Sequence, residues 1–362
     1  MFNADKFESP SIYKRNGQSV TLCSIRKCFI PRTPEEIIRQ KFIRFLLSKW
    51  GIPAEYIEVE VPLSHHSKEG RGRIDILVKI ESDRSEQKPK PFIVVECKAS
   101  HVPLYDDIID QARNYARKVS ASYIILTNGY KTRCFVNNEH CAEIELPACF
   151  KDLARYVYKY KHHQIRKRPS LKELSYKRIR YIYRHCIGKT TLGELYTFIL
   201  NLATMFRDDT FNSLHLPFET PYFTILKHYV RRMANGTGNS GAGSYPGTYR
   251  SFIISDSKGN HQILSMAMFG VSPGYTSLVV QVDNNDKKHN ALQLNIDRYV
   301  RCERGRYTLF HNGVLTMGNT GPIQKHIVID YVKSKRPDLV IDGDVVLGNL
   351  PDNELLNWKN AG

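Results

Sequence analysis

Two stretches of sequence decide the fold: Arg73-Ile-Asp-Ile-Leu-Val-Lys-Ile80 and Pro91-Phe-Ile-Val-Val-Glu-Cys-Lys98. The second contains an unbroken apolar run, which is typical of a strand that is buried on both faces. Glu96 and Lys98 are two residues apart, so their side chains leave the same face of this strand, whereas Cys97 points the opposite way into the core. Charged residues at the end of a buried strand need a reason, because burying an unpaired charge is costly.

The sequence before these strands predicts a helix and a further strand. Thr33-Pro-Glu-Glu36 is a helix start, with Thr33 as the N-cap, Pro34 in the first turn and Glu36 as the capping-box acid. Apolar residues then recur at helical spacing until Gly51. Residues 56–63 alternate apolar and polar side chains, as a half-buried strand does.

The sequence after these strands predicts a second helix and two more strands. Residues 104–119 are amphipathic at helical spacing, residues 123–126 form an apolar run, and residues 132–136 follow an Asn-Gly turn. Because a helix joins the third strand to the fourth, those two strands should be parallel. The predicted α/β domain therefore has the order α-β-β-β-α-β-β around a mixed sheet.

Asp75 and Glu96 are the candidate centre of chemistry. Asp75 lies on the strand before Glu96, and pairing of the two strands would place both carboxylates side by side. Neighbouring carboxylates repel each other unless a cation lies between them. Oxygen ligands of this kind suit Mg²⁺, with Mn²⁺ as the alternative ion. Lys98 could then hold or activate a water molecule and offset negative charge in a transition state.

These residues resemble the PD-(D/E)xK nuclease signature, in the form Asp75…Glu96-Cys-Lys98. The surrounding sequence is similar to the N-terminal nuclease domain of type I restriction enzyme R subunits and its stand-alone relatives. The stretches that carry this resemblance are Pro34-Glu-Glu-Ile-Ile-Arg-Gln40, Gly72-Arg-Ile-Asp-Ile-Leu77, Ile93-Val-Val-Glu-Cys-Lys-Ala99, Gln111-Ala-Arg-Asn-Tyr115 and Leu126-Thr-Asn-Gly129. The resemblance covers residues 30–137 and implies a restriction-endonuclease-like core that hydrolyses DNA phosphodiester bonds with Mg²⁺.

The resemblance also assigns roles to individual residues. Asp75 and Glu96 would bind the metal, with the backbone carbonyl of Cys97 as a further ligand. An acid on the first helix would face the site, either Glu36 or, if the helix is rotated, Glu35. Gln111 and Tyr115 match the QxxxY element of several branches and would position Lys98 or the DNA backbone.

Each of these assignments has a structural alternative. Glu96 and Lys98 could form only an ion pair, and Glu36 already has a structural role as a capping acid. Gln111 could be solvated and Tyr115 could belong to the core. The one departure from the motif name is Ile74, which stands where a proline gives the signature its first letter.

The composition indicates a polyanionic partner. The chain has 362 residues and a formal net charge of +17, with a pI near 9.4. DNA is the first candidate partner and an anionic membrane surface the second. No apolar run reaches the length of a membrane helix and no signal peptide is visible, so a cytoplasmic protein is expected. The eight cysteines include no CxxC pair, which favours buried thiols over a zinc site.

The middle of the chain is basic and predicted to be helical. Residues 151–189 contain thirteen lysines and arginines against two acidic residues. Six tyrosines are interleaved with them, and exposed tyrosines can stack on bases while the cations bind phosphates. The alternative is a solvated helix face with the tyrosines packed inward. The predicted nucleic-acid-binding residues are Arg166, Lys167, Arg168, Lys177, Arg178 and Arg180.

The predicted domain organisation has five parts. Residues 1–32 form an irregular lead-in, 33–150 the nuclease domain, 151–234 the basic helical region, 235–247 a flexible linker and 248–362 a β-rich domain. The last part contains a hairpin pattern at 249–254 and 261–268, further strand patterns, and one helix at 326–335.

Two functional hypotheses follow. The first is a metal-dependent deoxyribonuclease with a role in restriction or defence, for which a homodimer or an additional defence-system subunit is an expected partner by resemblance. The second is a DNA-binding or sensing module that keeps the nuclease fold and works with a catalytic partner. The intact set of Asp75, Glu96 and Lys98 favours the first hypothesis.

Overall fold

The computed structural model of the chain describes residues 2–65, 71–81, 88–154, 166–210, 215–236, 244–271, 274–283, 289–311, 315–317 and 322–358. Over these ranges the chain divides into two units, residues 1–163 and 164–362. Each unit has its own sheets and its own hydrophobic core.

The part of the first unit that the structure describes contains three α-helices and nine strands. The helices are α1 (Pro34–Ser48), α2 (Asp106–Val119) and α3 (Phe150–Leu153). The strands are β1 (Tyr13–Arg15), β2 (Gln18–Leu22), β3 (Phe29–Pro31), β4 (Ile57–Pro62), β5 (Arg73–Ile80), β6 (Lys90–Cys97), β7 (Tyr123–Thr127), β8 (Thr132–Val136) and β9 (Glu143–Ile144). Strands β4–β9 form one six-stranded sheet in sequence order.

The six-stranded sheet confirms the predicted core. Strands β6 and β7 are parallel and every other neighbouring pair is antiparallel, so the sheet is mixed, and α1, β4, β5, β6, α2, β7 and β8 follow the predicted order. Apolar residues of α1 such as Phe42 pack with Ile76, and residues of α2 such as Ala112 pack with Leu77. Because neighbouring residues of a strand face opposite sides, α1 and α2 cover opposite faces of the sheet.

Local sequence explains where α1 begins. The Thr33 hydroxyl accepts a hydrogen bond from the Glu36 backbone N–H at 3.1 Å, and Pro34 occupies the first turn. This is the N-cap that the sequence predicted. The predicted capping box is not formed, because the Glu36 carboxylate accepts from Arg39 and Gln40 and the Thr33 backbone N–H donates to the Pro31 carbonyl. The Thr33 cap defines the start of α1 and so places Glu35 and Glu36 in its first turn.

The prediction of an irregular segment at residues 1–32 was wrong. Strands β1, β2 and β3 form an antiparallel three-stranded sheet. Asn16 and Gly17 have φ angles of 48° and 77°, the left-handed conformation that a two-residue hairpin turn requires. Phe2 is buried against Phe42, with ring centroids 4.9 Å apart. The strands are only three to five residues long, too short to show a period.

The second unit contains four helices and twelve strands in its described residues. The helices are α4 (Lys177–Ile182), α5 (Tyr196–Arg207), α6 (Ile296–Tyr299) and α7 (Lys325–Lys335). The strands are β10 (Phe218–Glu219), β11 (Thr224–Gly236), β12 (Ser244–Ser255), β13 (His261–Gly270), β14 (Thr276–Asp283), β15 (His289–Asn295), β16 (Val300–Glu303), β17 (Arg306–Phe310), β18 (Leu315–Met317), β19 (Pro322–Ile323), β20 (Val340–Ile341) and β21 (Asp344–Pro351).

The β-rich prediction for the C-terminal part is confirmed. Strands β10–β15, β18 and β19 form an eight-stranded antiparallel sheet, and β16, β17, β21 and β20 form a second sheet. Strands β12 and β13 are the predicted hairpin, and α7 is the predicted helix. Helix α5 shares its core with β12 and β13 through residues such as Phe206, Phe252 and Met268.

Two local expectations differ from the structure. The predicted helical character of residues 151–234 ends with α5, and residues 224–234 belong to β11, which pairs along its length with β12. The reason is the β-branched and aromatic content of Ile225, Tyr229 and Val230, which suits a strand. Of the predicted linker at 235–247, residues 235–236 and 244–247 lie in these two strands, and 237–243 lie outside the described residues.

The helices in the described ranges are all too short or too polar to cross a membrane.

Candidate active site

Three neighbouring strands bring three acidic residues into one row. Strand β4 pairs with β5 on both sides of Glu60 and Asp75, which therefore face each other. The β5–β6 ladder ends one residue before Asp75 and Glu96, so these two residues are the next pair in register. Asp75 and Glu96 are 7% and 4% exposed, and the side chain of Glu60 is 8% exposed. The predicted proximity of Asp75 to Glu96 thus arises directly from strand pairing.

Asp75 is held by two hydrogen bonds. Its Oδ2 accepts from the backbone N–H of Cys97 at 2.8 Å, and its Oδ1 accepts from Nη2 of Arg39 at 2.7 Å. The first bond replaces the strand-to-strand bond that would otherwise continue the β5–β6 ladder. The thiol of Cys97 is fully buried on the α1 side of the sheet, as predicted, and burial raises its pKa.

Arg39 links four carboxylates. Its guanidinium lies 2.5–3.0 Å from Glu35, Glu36, Glu60 and Asp75. The Arg39 side chain is only 6% exposed, so these pairs lie in a poorly solvated environment where charges interact strongly. Nε of Arg39 is buried without a hydrogen-bond partner.

Glu96 has one engaged and one unpartnered oxygen. Oε1 accepts a hydrogen bond from Nζ of Lys98 at 2.8 Å. Oε2 is buried and has no hydrogen-bond partner. The backbone N–H of Lys98 donates to the carbonyl of Thr127 at 2.8 Å, which fixes the end of β6 against β7. The Lys98 side chain is 22% exposed, so it links the buried row to solvent.

The electrostatics of the row follow from burial and crowding. Burial, and then the charge of Glu96, raise the pKa of Asp75 to about 7. Burial also raises the pKa of Glu96, against the opposing effect of Lys98. Burial by itself lowers the pKa of Lys98. The hydrogen bond to Glu96 and the negative charge of Glu96 have a larger combined effect, so the pKa of Lys98 is raised above its ordinary value. Burial is thus the main cause of the raised pKa values of both acids, and at Asp75 the neighbouring carboxylate adds to it.

Glu36 is connected to Asp75 through Arg39, which forms an ion pair with each of them. Its carboxylate accepts from Nε2 of Gln40 at 2.8 Å and pairs with Arg39, which in turn pairs with Asp75. Burial raises the pKa of Glu36, and Arg39 opposes this. Glu35 also reaches Arg39 but its side chain is 40% exposed. Both acids of the first turn thus contribute to the same cluster.

Gln111 and Tyr115 contact each other, but neither makes a hydrogen bond to Asp75, Glu96 or Lys98. Nε2 of Gln111 donates to the Tyr115 hydroxyl at 2.9 Å. Gln111 is exposed and Tyr115 is buried in the α2 side of the core. The Tyr115 hydroxyl lies against the backbone just before β5, where a Cβ on Gly72 would be 2.5 Å away.

Arg39 and Glu60 are the members of the cluster that the sequence did not reveal. Glu60 lies in the alternating stretch Glu58-Val-Glu-Val61, a pattern that predicts a solvent-facing side chain. Its φ angle is 58°, an uncommon conformation for a residue with a side chain, and it carries the carboxylate to Arg39. The signal for Arg39 was its place three residues after Glu36, on the same helix face.

The donor set fits a divalent cation at Asp75 and Glu96. Both residues supply hard oxygens, and Oε2 of Glu96 is a buried acceptor without a partner. In the ranges that the structure describes, no group of three or more His, Cys, Asp or Glu side chains is arranged to hold a metal ion. A site here would consist of two carboxylates, with the Cys97 carbonyl as the predicted further ligand.

The predicted nucleic-acid-binding residues of the second unit divide into two kinds. The first kind lies at the surface: the exposed residues are Arg166, Lys167, Lys177 and Arg178, and Arg180 is half-buried. Arg168 is committed to internal contacts, because its guanidinium donates to the carbonyl of Asn201 at 2.8 Å and to that of Leu356. Burial lowers the pKa of Arg168 to about 10. Residues 155–165 of the basic region lie outside the described residues.

A mixed sheet with helices on both faces carries the acids and the lysine where its central strands end, and the family match over this region suggests a restriction-enzyme-related, nuclease-like domain. Residues 34–146 match the family described as type I restriction enzyme R protein N terminus (HSDR_N). The match spans α1 to β9, about a third of the chain, and includes every residue of the acidic row. No curated protein and no solved structure was found to match the chain.

Proposed function

We propose that the first unit is a Mg²⁺-dependent deoxyribonuclease, with Mn²⁺ as an alternative ion. The observation that carries this proposal is the pair of Asp75 and Glu96, buried side by side, with one unpartnered oxygen and with Lys98 next to it. A structural ion pair needs neither the second carboxylate nor the unpartnered oxygen. The family match over residues 34–146 supports a nuclease rather than another use of two acids.

Asp75 and Glu96 would hold the metal, together with the backbone carbonyl of Cys97. A bound Mg²⁺ supplies Lewis acidity toward a phosphate oxygen and makes a water molecule more acidic. The hydrogen bonds from Cys97 and Arg39 fix the orientation of Asp75 before any ligand arrives. Such preorganisation lowers the reorganisation that the reaction requires.

Lys98 is the group that would act on the attacking water and the phosphate. Its ammonium is hydrogen-bonded to Glu96 and is partly exposed, so it can reach a scissile phosphate. Its raised pKa keeps it cationic at neutral pH, which suits electrostatic stabilisation of a pentacovalent phosphate. Glu36 would act through Arg39. Gln111 and Tyr115 make no hydrogen bond to Lys98 in the described residues, so they would orient the backbone before β5 or the DNA.

DNA binding would extend beyond this unit. Arg166, Lys167, Lys177 and Arg178 are exposed cations that can bind phosphates. Among the interleaved tyrosines, Tyr176 and Tyr181 are 48% and 67% exposed, as base stacking requires. The role in restriction or defence rests on the family match. A homodimer is proposed because a nuclease that cuts duplex DNA has to reach both strands, and a further subunit is proposed with the defence role.

Cleavage of DNA tests this proposal. Circular, linear double-stranded and single-stranded DNA are incubated with the protein in Mg²⁺, Mn²⁺ or EDTA, and Glu96→Gln is compared with wild type. The proposal expects divalent-ion-dependent cleavage that Glu96→Gln abolishes. Cleavage of circles would identify an endonuclease.

The binding-module hypothesis is the second candidate, and one observation favours it: the ion pair of Arg39 with Asp75 offsets part of the charge that a metal ion would offset. It becomes the better account if folded wild type binds DNA with a steep salt dependence but cuts none of these substrates.

A further inference from the structure

We propose that Arg39 takes the place of a second metal ion, so that this site holds one divalent cation, on the Glu96 side of Asp75. The inference rests on the proposed function and specifies its metal site. It follows from how the oxygens of the acidic row are shared between protein groups.

The inner part of the cluster is filled by the guanidinium. Glu36, Glu60 and Asp75 all lie within 2.5–2.7 Å of Arg39 nitrogens, and all three carboxylates have side chains at most 10% exposed. Three buried carboxylates around one point are what a second divalent ion would need. Here a cation of the chain itself occupies that point.

The outer part of the row is different. Oε2 of Glu96 is buried without a partner, whereas each oxygen of Asp75 already accepts one hydrogen bond. The only side-chain cation paired with Glu96 in the described residues is Lys98, through the other oxygen. A divalent ion would therefore bind Glu96 through its free oxygen and Asp75 through a remaining lone pair.

The backbone at Glu60 supports this division. A φ of 58° is unfavourable for a residue with a side chain, and such strain persists only where surrounding contacts enforce it. Here the contacts are the ion pairs of Glu60 with Arg39 and Arg73. Glu60 thus faces the guanidinium rather than the free oxygen of Glu96, and we assign it to holding Arg39.

Counting bound Mn²⁺ tests the inference without any need for activity. Free Mn²⁺ is followed by its electron paramagnetic resonance signal during titration of the full chain at pH 8. Wild type should bind one ion per chain, and Arg39→Met should bind two, because the vacated carboxylates accept a second ion. Arg39→Lys, which keeps the charge, should bind one. Arg133→Met is the matched control, since Arg133 also bridges two acids, Asp106 and Glu143, and it should leave the count at one.

Two variants keep the test decisive if Arg39→Met does not fold. Glu96→Gln should lose the single ion, whereas Glu60→Gln should retain it with an affinity within about threefold of wild type. Two ions on wild type, or loss of the ion in Glu60→Gln, would overturn the inference. One ion on folded Arg39→Met would also overturn it, and would leave the proposed function intact. A folded wild type that binds no Mn²⁺ would instead remove the metal from the proposed function itself.

Discussion

Replacing Arg39 with methionine should destabilise the metal-free protein strongly. The substitution keeps much of the aliphatic volume. Within the described residues it leaves Glu36 and Asp75 buried without an ion-pair partner, and Glu60 paired only with the exposed Arg73. Removing one partner from a buried ion pair costs about 3–5 kcal/mol, mainly because the other charge remains uncompensated. Arg133 offers the comparison, because its partners Asp106 and Glu143 have side chains 91% and 48% exposed. Exposed pairs of this kind contribute about 0.2–1 kcal/mol.

Urea unfolding in EDTA at pH 7.5 measures both variants. We expect Arg39→Met to lose about 3–5 kcal/mol, which corresponds to a fall in Tm of roughly 10 °C for a unit of this size. Arg133→Met should lose less than about 1 kcal/mol. At pH 5 the gap between the two should narrow, because the raised pKa values of Glu36 and Asp75 allow these acids to take up protons. Equal losses for the two variants at pH 7.5 would refute the idea that Arg39 holds a buried acidic cluster.

Three further outcomes are expected. Metal-free wild type should lose stability as pH rises from about 4 to 7, because the pKa of Asp75 is raised from 3.8 to about 7 and its ionisation is less favourable in the folded protein than in the unfolded chain. Asp75→Asn should lack this loss. Its Tm relative to that of wild type should therefore be higher at pH 8 than at pH 5. Gly72→Ala should cost about 1–3 kcal/mol in urea unfolding, because the residue has a φ of +103° and its Cβ would meet the Tyr115 hydroxyl at 2.5 Å; an unchanged midpoint would contradict this contact. Lys177→Ala should make the plot of log K for DNA binding against log salt concentration less steep, by up to about 0.9 in slope, because an exposed cation would no longer bind a phosphate. Arg168→Ala should instead lower Tm, because its guanidinium holds internal carbonyls. An unchanged Tm for Arg168→Ala would show that these internal contacts are dispensable.

The sequence was informative where periodicity and capping act locally. Thr33 and Pro34 predicted the start of α1, and the apolar run before Glu96 predicted a buried central strand. The spacing of Glu96 and Lys98 predicted a shared face, and their hydrogen bond shows that the two side chains meet. These features depend on neighbours within a few residues, which the sequence displays directly.

The parts that could not be predicted depend on contacts between distant residues or on very short elements. Arg39 meets Asp75 across 36 positions of the chain, and Glu60 reaches Arg39 only because of its left-handed backbone. Strands β1–β3 are too short to show a period. In the basic region, the number of lysines and arginines does not indicate that residues 224–234 form part of strand β11. It also does not indicate that the Arg168 guanidinium is bonded to the carbonyl of Leu356, far away in the sequence.

We expect Lys98, beside Asp75 and Glu96, to be required for hydrolysis of the phosphodiester bond. The most direct test is the rate of nicking of supercoiled circular DNA in Mg²⁺ by wild type, Lys98→Ala and Lys79→Ala. Lys79 is a matched control, because it also pairs with a glutamate, Glu58, on the same sheet. We predict a loss of about 10²–10⁴-fold for Lys98→Ala, with unchanged DNA binding, and a rate near wild type for Lys79→Ala. Equal nicking by wild type and Lys98→Ala would show that Lys98 has no part in the reaction.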